Sequence, residues 1–165
     1  MKQWFVVNTK THEETKAMTN LNQQGFNTYL PRYKKSRRHA RRTYTVMAPL
    51  FPKYLFVEFD LGIESWSRIN STLGVNKLIK FGSTPTPLPQ KLINEIRARE
   101  DTEGMVSINR FLNIKKGAEI TITNGAFNDH RGIFECQNDD ARVIILLNLM
   151  GRNVRVRIPS SAISA

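Results

Sequence analysis

The segment Tyr54–Phe59 limits the possible folds of this chain more than any other. It reads YLFVEF and alternates aromatic with aliphatic side chains, so its two faces differ in kind while both are apolar. Pro49 and Pro52 bound the approach to it. We therefore expect a β-strand that packs one face into a core and leaves the other face to a partner.

The elements around this strand predict an α/β sandwich over residues 1–100. Apolar alternation predicts strands, and apolar residues at helical spacing predict helices. Strands are expected at 4–9, 26–30, 43–46, 54–59 and 75–81, and helices at about 11–24, 63–70 and 89–99. Because several connections are hairpin-like, we expect a mostly antiparallel sheet and an α+β fold class.

A second, smaller domain is expected at residues 114–165. Residues 101–113 show no clear period and include Gly104, which indicates a linker. Beyond it, residues 119–123 alternate, 124–125 form an Asn-Gly turn, and further strands are expected from 133, over 143–147 and over 154–158. Short strands at this spacing predict a small β-barrel.

Positive charge dominates the composition, with a formal net charge of +11. An excess of this size attracts polyanions such as nucleic acids. Seven of the cations fall within eleven residues that contain no acid: Arg32, Lys34, Lys35, Arg37, Arg38, Arg41 and Arg42. This basic segment is either a solvated loop or hairpin tip, or a direct contact to phosphates.

The residues that catalysis requires are scattered. His12, His39 and His130 lie in separate segments, Cys136 is the one cysteine, and no phosphate-binding glycine loop occurs. We therefore expect a protein that is not an enzyme, with no catalytic residues, metal or cofactor. No apolar run approaches the roughly 20 residues that span a bilayer, which favours a cytoplasmic protein without membrane contact.

Two motifs in fixed order carry a resemblance to a known family. Residues 49–59 read PLFPKYLFVEF, and residues 116–134 read KGAEITITNGAFNDHRGIF. Together they resemble the NusG family of transcription elongation factors, most closely its specialised RfaH-like branch. The resemblance implies an NGN-like domain that binds RNA polymerase, followed by a KOW domain. In this branch the KOW domain is a β-barrel or, in an autoinhibited state, an α-helical hairpin.

The resemblance also implies a polymerase-binding surface. A hydrophobic patch would bind the clamp helices of the β′ subunit, and its positions here are Leu50, Phe51, Tyr54, Phe56 and Phe81. A second contact, to the gate loop of the β subunit, corresponds to Ser65, Trp66 and Ser67. Aromatic side chains suit such a patch because they supply contact area at little entropic cost.

The remaining implied sites concern DNA and the C-terminal domain. Contacts to the non-template DNA strand correspond to Lys10, Thr11, Lys16 and Thr72. C-terminal partner or interdomain contacts correspond to Phe134, Arg142, Ile145, Leu147 and Met150. The implied partners of that domain are the ribosome, through ribosomal protein S10, and Rho in the general members of the family. Family precedent implies a monomer.

The function implied is that of an elongation and antitermination factor. It would suppress pausing and termination and couple transcription to translation through its C-terminal domain. Two other functions remain open on the sequence: a general NusG factor that acts with Rho, and a KOW-containing ribosomal protein that binds RNA.

Overall fold

A computed structural model describes residues 1–63, 65–108 and 131–150. The chain divides into two compact units, Met1–Val106 and Ser107–Ala165. No helix in the described ranges is both long and apolar enough to cross a membrane. In chain order, the elements of the first unit are β1 (Gln3–Thr9), α1 (Glu14–Gln23), β2 (Asn27–Tyr29), β3 (Arg32–His39), β4 (Arg42–Pro49), β5 (Tyr54–Phe59), a 3₁₀ helix (Trp66–Ser71), β6 (Val75–Leu78) and α2 (Gln90–Ala98).

A four-stranded sheet in the order β2-β5-β1-β6 forms the centre of the first unit. Every neighbouring pair in it is antiparallel, which confirms the expected sheet type and the α+β class. The long alternating segment, β5, is a central strand between β2 and β1. That position explains its composition, because a central strand is covered on both faces.

One face of the sheet packs against α1. Leu55, Val57 and Phe59 of β5 belong to the same buried cluster as Ala17 and Leu21 of α1. The ring of Phe59 stacks on Phe5 of β1, with 4.2 Å between the ring centroids. These side chains share one face because alternate residues of a strand point the same way.

The opposite face of the sheet carries a second set of buried aromatic rings. Trp4 and Phe56 are 2% and 0% exposed, and Tyr29 contacts both. The guanidinium of Arg97, at the end of α2, lies 5.2 Å from the Trp4 ring centroid and 4.9 Å from that of Tyr29. Both faces of β5 are therefore packed within the protein, although the sequence led us to expect one face free for a partner.

The basic segment forms β3, the turn and the first residue of β4 in a regular hairpin. β3 and β4 pair over their whole length, from Arg32 opposite Pro49 to His39 opposite Arg42. The loop between them is only two residues long, and both Ala40 and Arg41 have positive φ. Two-residue loops of this kind match the right-handed twist of the flanking strands. The sequence left open whether this segment is a loop or the tip of a hairpin, and the structure shows a hairpin.

The first unit continues to Val106, so the first six residues of the predicted linker belong to it. The Val106 amide donates to the Arg32 carbonyl at 2.7 Å. The Asp101 carboxylate accepts the amides of Met105 and Glu103 at 3.0 and 2.8 Å. The bond from Met105 is the main cause of the lowered pKa of Asp101. These contacts order a turn that composition alone predicted to be a linker.

The second unit contains two described helices, α3 (Arg131–Glu135) and α4 (Asp139–Leu149). The strands predicted from residue 133 and over 143–147 are therefore wrong for this structure. The described helices agree instead with the alternative that the resemblance implied, an α-helical hairpin. Asn138 explains the helix, because its side chain accepts the Ala141 amide at 3.0 Å as an N-cap, and Asp139 and Asp140 follow in the first turn. The strands predicted at 119–123 and 154–158 lie outside the described residues.

Candidate functional site

Four residues of the predicted polymerase patch lie together where the chain enters β5. The rings of Phe51 and Phe56 meet edge to face with centroids 5.7 Å apart, and the Tyr54 amide donates to the Phe51 carbonyl at 3.0 Å. Leu50, Phe51 and Phe56 are buried, and Tyr54 is half-buried. Tyr54 is thus the accessible member of this aromatic cluster, which we define as Leu50, Phe51, Tyr54 and Phe56.

A strained turn fixes the cluster against the sheet. Lys53, immediately before β5, has φ of 70°, a backbone conformation that residues other than glycine rarely adopt. Its amide donates to the buried Glu14 carboxylate at 3.0 Å, and its carbonyl accepts the Thr9 amide at 2.7 Å. The start of α1 and the end of β1 therefore hold the turn that orients Tyr54.

Tyr29 completes the packing beside Phe56. Its ring centroid lies 6.2 Å from that of Phe56, and its hydroxyl donates to the Glu100 carboxylate. Burial, and then the bond to Glu100, raise the pKa of Tyr29. The phenol consequently stays neutral at physiological pH, and its one proton is committed to Glu100.

Phe81, the fifth residue of the predicted patch, lies outside the turn that leads into β5. It is half-buried just after β6, where its amide donates to the Thr86 hydroxyl at 3.2 Å. Tyr54 begins β5, whereas Phe81 follows β6, and β1 lies between these two strands in the sheet. A partner that touched both would have to span β1.

The predicted gate-loop residues lie at the start of the 3₁₀ helix. Ser65 and Ser67 are exposed, whereas Trp66 is half-buried and packs against the hydrophobic core between the sheet and α1. The Lys80 ammonium lies 5.8 Å from the Trp66 ring centroid. Trp66 therefore anchors this segment to the core while the two serine side chains face solvent.

The residues predicted to contact DNA lie just before α1, in its first turn and in the loop 72–74. The Lys10 amide donates to the Gly74 carbonyl at 2.9 Å, and the Asn20 side chain donates to the Leu73 carbonyl at 3.1 Å. Lys10, Thr11 and Lys16 are exposed. Thr72 is buried, and its hydroxyl lies 2.7 Å from the Gln24 side chain that donates to it. Lysines and loop thus form one surface, with Thr72 beneath it.

Gly74 allows the loop to approach α1 this closely. It has φ of 90°, and a Cβ atom built on it would lie 2.7 Å from the Ala17 amide nitrogen. The approach leaves the neighbouring Leu73 side chain 66% exposed beside the lysines. Leu73 was not among the residues predicted to contact DNA; the resemblance has a basic or histidine side chain at its position, and the sequence gives no signal of whether a leucine there is covered.

The predicted C-terminal residues lie on α3 and α4, except Met150, which directly follows α4. Phe134, Ile145 and Met150 are buried, and Leu147 is half-buried. Arg142 is fully buried, and its guanidinium donates to the Cys136 carbonyl at 2.7 Å and to the Asp139 carboxylate. A buried guanidinium needs such partners, since an uncompensated charge in a core is costly.

Burial raises the pKa of the Cys136 thiol, so it is not a ready nucleophile. In the ranges that the structure describes, no three His, Cys, Asp or Glu side chains come together in a group that could hold a metal ion.

Comparison with known proteins gives one family. The family described as "Transcription termination factor nusG" matches residues 2–97, more than half of the chain. Two relatives, from Staphylococcus aureus strains Mu50 and N315, are called "Transcription termination/antitermination protein NusG". Each is 25% identical over 170 residues, which cover 95% of this chain and 92% of the relative. A solved structure, "Domain interaction in Thermotoga maritima NusG", has a TM-score of 0.45 and 21% identity and covers 77% of this chain and 75% of that one.

Proposed function

The chain belongs to the NusG family of transcription termination/antitermination factors, and from that premise we propose that it binds elongating RNA polymerase and suppresses pausing and termination. One observation carries the proposal. The family match covers the unit in which the aromatic cluster and the surface of Lys10, Lys16 and loop 72–74 are built on one sheet. A rigid sheet with two such surfaces suits a factor that holds protein and nucleic acid at once.

The polymerase contact is assigned to the aromatic cluster, with Tyr54 as its anchor against the β′ clamp helices. Tyr54 is half-buried, and the turn at Lys53 fixes its backbone, so little backbone entropy is lost on binding. Phe51 and Phe56 lie under it as a packed support. Phe81 supplies a separate apolar contact beyond β1.

The contact to the β-subunit gate loop is assigned to Ser65 and Ser67. Both hydroxyls are exposed, and Trp66 between them is held against the core. Because this segment is anchored, its exposed hydroxyls can hydrogen-bond a partner loop without the entropic cost of ordering a flexible segment.

The contact to the non-template DNA strand is assigned to Lys10, Thr11 and Lys16. Two exposed cations suit a phosphate backbone, whereas they carry no base preference of their own. Leu73, exposed beside them, offers an apolar surface to an unstacked base. The buried Thr72 supports the loop and does not reach the strand.

Transcription in vitro tests the proposal as a whole. With purified RNA polymerase on a template with one strong pause site, we expect the full chain to shorten the pause half-life severalfold. Lys10→Gln should reduce this effect at limiting protein, since one phosphate contact is lost. Lys91→Gln is the matched control, because Lys91 is an exposed cation on α2 paired only loosely with Glu95, at 3.9 Å. An unchanged pause half-life at saturating protein would contradict the proposed function.

We assign to the C-terminal unit the coupling of transcription to the ribosome through ribosomal protein S10. Rho is the alternative partner. A KOW barrel presents strands, so this role requires residues 131–150 to exchange helix for strand. Their sequence supports such an exchange, because Val143, Ile144 and Ile145 favour strand while Leu146, Leu147 and Leu149 suit a helix. Two folds separated by a few kcal/mol can be exchanged by a partner.

Amide NMR of the intact chain tests this exchange. We expect helical chemical shifts for 139–149 in the free protein and strand shifts for 143–147 when ribosomal protein S10 is added in excess. Adding Rho in its place shows which partner drives the change. Helical shifts that persist at saturation with either protein would exclude the exchange.

A further inference from the structure

Residues 100–106, which we call the clasp, lie beyond the family match, which ends at residue 97. We infer that the clasp sets the angle between the central four-stranded sheet and the β3-β4 hairpin, and thereby positions the aromatic cluster for RNA polymerase. This inference rests on the proposed polymerase contact and names the segment that supports it from within the first unit.

The clasp is a small closed turn whose second limb extends the hairpin ribbon. Glu100 and Val106 form an antiparallel bridge across it. The Asp101 amide donates to the Met105 carbonyl at 2.8 Å. Met105 also forms a parallel bridge with Arg32, the first residue of β3. Because Met105 and Val106 are only 8% and 3% exposed, the clasp is packed into the first unit.

The two limbs of the clasp bind different sheets. On the first limb, the Glu100 carboxylate accepts the hydroxyl of Tyr29, which ends β2 in the central sheet. On the second limb, the Val106 amide donates to the Arg32 carbonyl at 2.7 Å. Only residues 30–31 separate β2 from β3, so the chain bends from one sheet into the other there. A segment bonded on both sides of so short a bend restricts its angle.

The aromatic cluster lies at the same junction. Leu50 and Phe51 follow β4 on the hairpin side, whereas Tyr54 begins β5 on the sheet side. The Leu50 amide donates to the carbonyl of Pro31, within the bend, at 2.8 Å. Phe51 meets Phe56 of β5 with 5.7 Å between the ring centroids. A change of angle between the sheets would therefore shift the packed support of Tyr54.

Charge matches the clasp to the base of the hairpin. Three of its seven residues are acidic, whereas residues 32–49 contain no acid. The Lys34 ammonium lies 2.9 Å from the Glu103 carboxylate and 4.0 Å from that of Asp101. Exposed ion pairs contribute little stability of their own. We therefore assign the hold of the clasp to the buried Met105 and Val106 and to the hydrogen bonds of its two limbs.

Amide hydrogen exchange of the full chain, followed by NMR, tests whether the clasp holds the junction. Val106→Pro removes the amide that donates to Arg32, because proline has no N–H. The matched control is Ser107→Pro, the same change at the next residue, which is exposed and leaves the Val106 amide in place. Exchange of the Leu50 amide should rise at least about tenfold in Val106→Pro alone. The Ile79 amide, bonded to β1 at 2.9 Å, should keep its rate.

The Kd for core polymerase tests whether the clasp positions the cluster. Val106→Pro should raise this Kd about fivefold to tenfold, whereas Ser107→Pro should stay within about twofold of wild type. In a Tyr54→Ala background, Val106→Pro should add less than about twofold, because the clasp acts through Tyr54. General damage to the fold would weaken binding equally in both backgrounds.

Tyr29→Phe tests the other limb of the clasp. It removes only the hydroxyl that donates to Glu100 and keeps the ring beside Phe56. We expect a severalfold higher Kd and faster Leu50 exchange. Combined with Val106→Pro, it should cost less than the product of the two separate losses, since either change opens the same clasp. This variant decides the question if Val106→Pro also speeds exchange at Ile79.

The two measurements separate this inference from the proposed function. Unchanged Leu50 exchange in both variants would overturn the clasp. Faster Leu50 exchange with an unchanged Kd would overturn its positioning role, as would equal losses with and without Tyr54. A wild-type chain that does not bind core polymerase would contradict the proposed function, while Leu50 exchange would still decide for or against the clasp.

Discussion

Replacing Tyr54 with alanine is expected to weaken the affinity of the full chain for RNA polymerase by about 30-fold, or about 2 kcal/mol. Aromatic anchors at the centre of an interface commonly carry such a loss when they are truncated. Tyr54 is the accessible member of the aromatic cluster, and its backbone is already fixed by the turn at Lys53. The measurement is the Kd for core polymerase without nucleic acid, by biolayer interferometry.

Tyr44→Ala is the matched control for that experiment. It makes the same substitution at another partly exposed tyrosine, on the hairpin, which the account places outside the polymerase contact. Its Kd for core polymerase should stay within about threefold of wild type. Tyr54→Phe should retain most of the affinity, since the ring supplies the contact. Equal affinities for Tyr54→Ala and wild type would remove Tyr54 from the interface.

Replacing Phe59 with alanine is expected to lower the free energy of unfolding of the first unit by about 3–5 kcal/mol. Phe59 is fully buried, stacks on Phe5 and meets Phe26 edge to face at 6.2 Å. Its removal deletes transfer free energy and leaves a cavity between the sheet and α1.

Urea denaturation followed by tryptophan fluorescence measures this loss in the full chain. Trp4 and Trp66 are the two tryptophans, and both lie in the first unit, so the signal reports that unit alone. Ile63→Ala is the control, because Ile63 is 83% exposed and its truncation should cost less than about 0.5 kcal/mol. Equal midpoints for Phe59→Ala and wild type would show that the packing at Phe59 contributes little.

The central sheet was predictable because its signals are local. The β5 strand was expected at residues 54–59 and is found there, and β1 and α2 differ from expectation by one residue at their ends. Alternation and helical spacing decide such elements without help from distant residues.

The coverage of each face was not predictable, because it depends on tertiary packing. The sequence shows that both faces of β5 are apolar, but only the contacts of Phe56 with Tyr29 and Phe51 in the folded chain reveal that Phe56 is covered. Thr72 illustrates the same limit. It was expected to touch DNA, whereas its hydroxyl is bonded inside the protein to Gln24 and the Arg68 carbonyl.

The C-terminal unit shows where local signals conflict. The β-branched run at 143–145 favours a strand, while Asn138, Asp139 and Asp140 form a good helix start. The sequence predicts strands on both sides of this cap, from 133 and over 143–147. Propensities of this size differ by tenths of a kcal/mol per residue, so packing decides between them.

Direct binding of the pure full chain to RNA polymerase elongation complexes tests the central claim. Complexes assembled on a nucleic-acid scaffold are passed over a gel-filtration column with the chain in twofold excess, and the composition of the complex peak is measured. We expect co-elution with a Kd of about 1 μM or tighter, and loss of co-elution for Tyr54→Ala but not for Tyr44→Ala. A chain that binds neither core polymerase nor the elongation complex at tens of micromolar would contradict it.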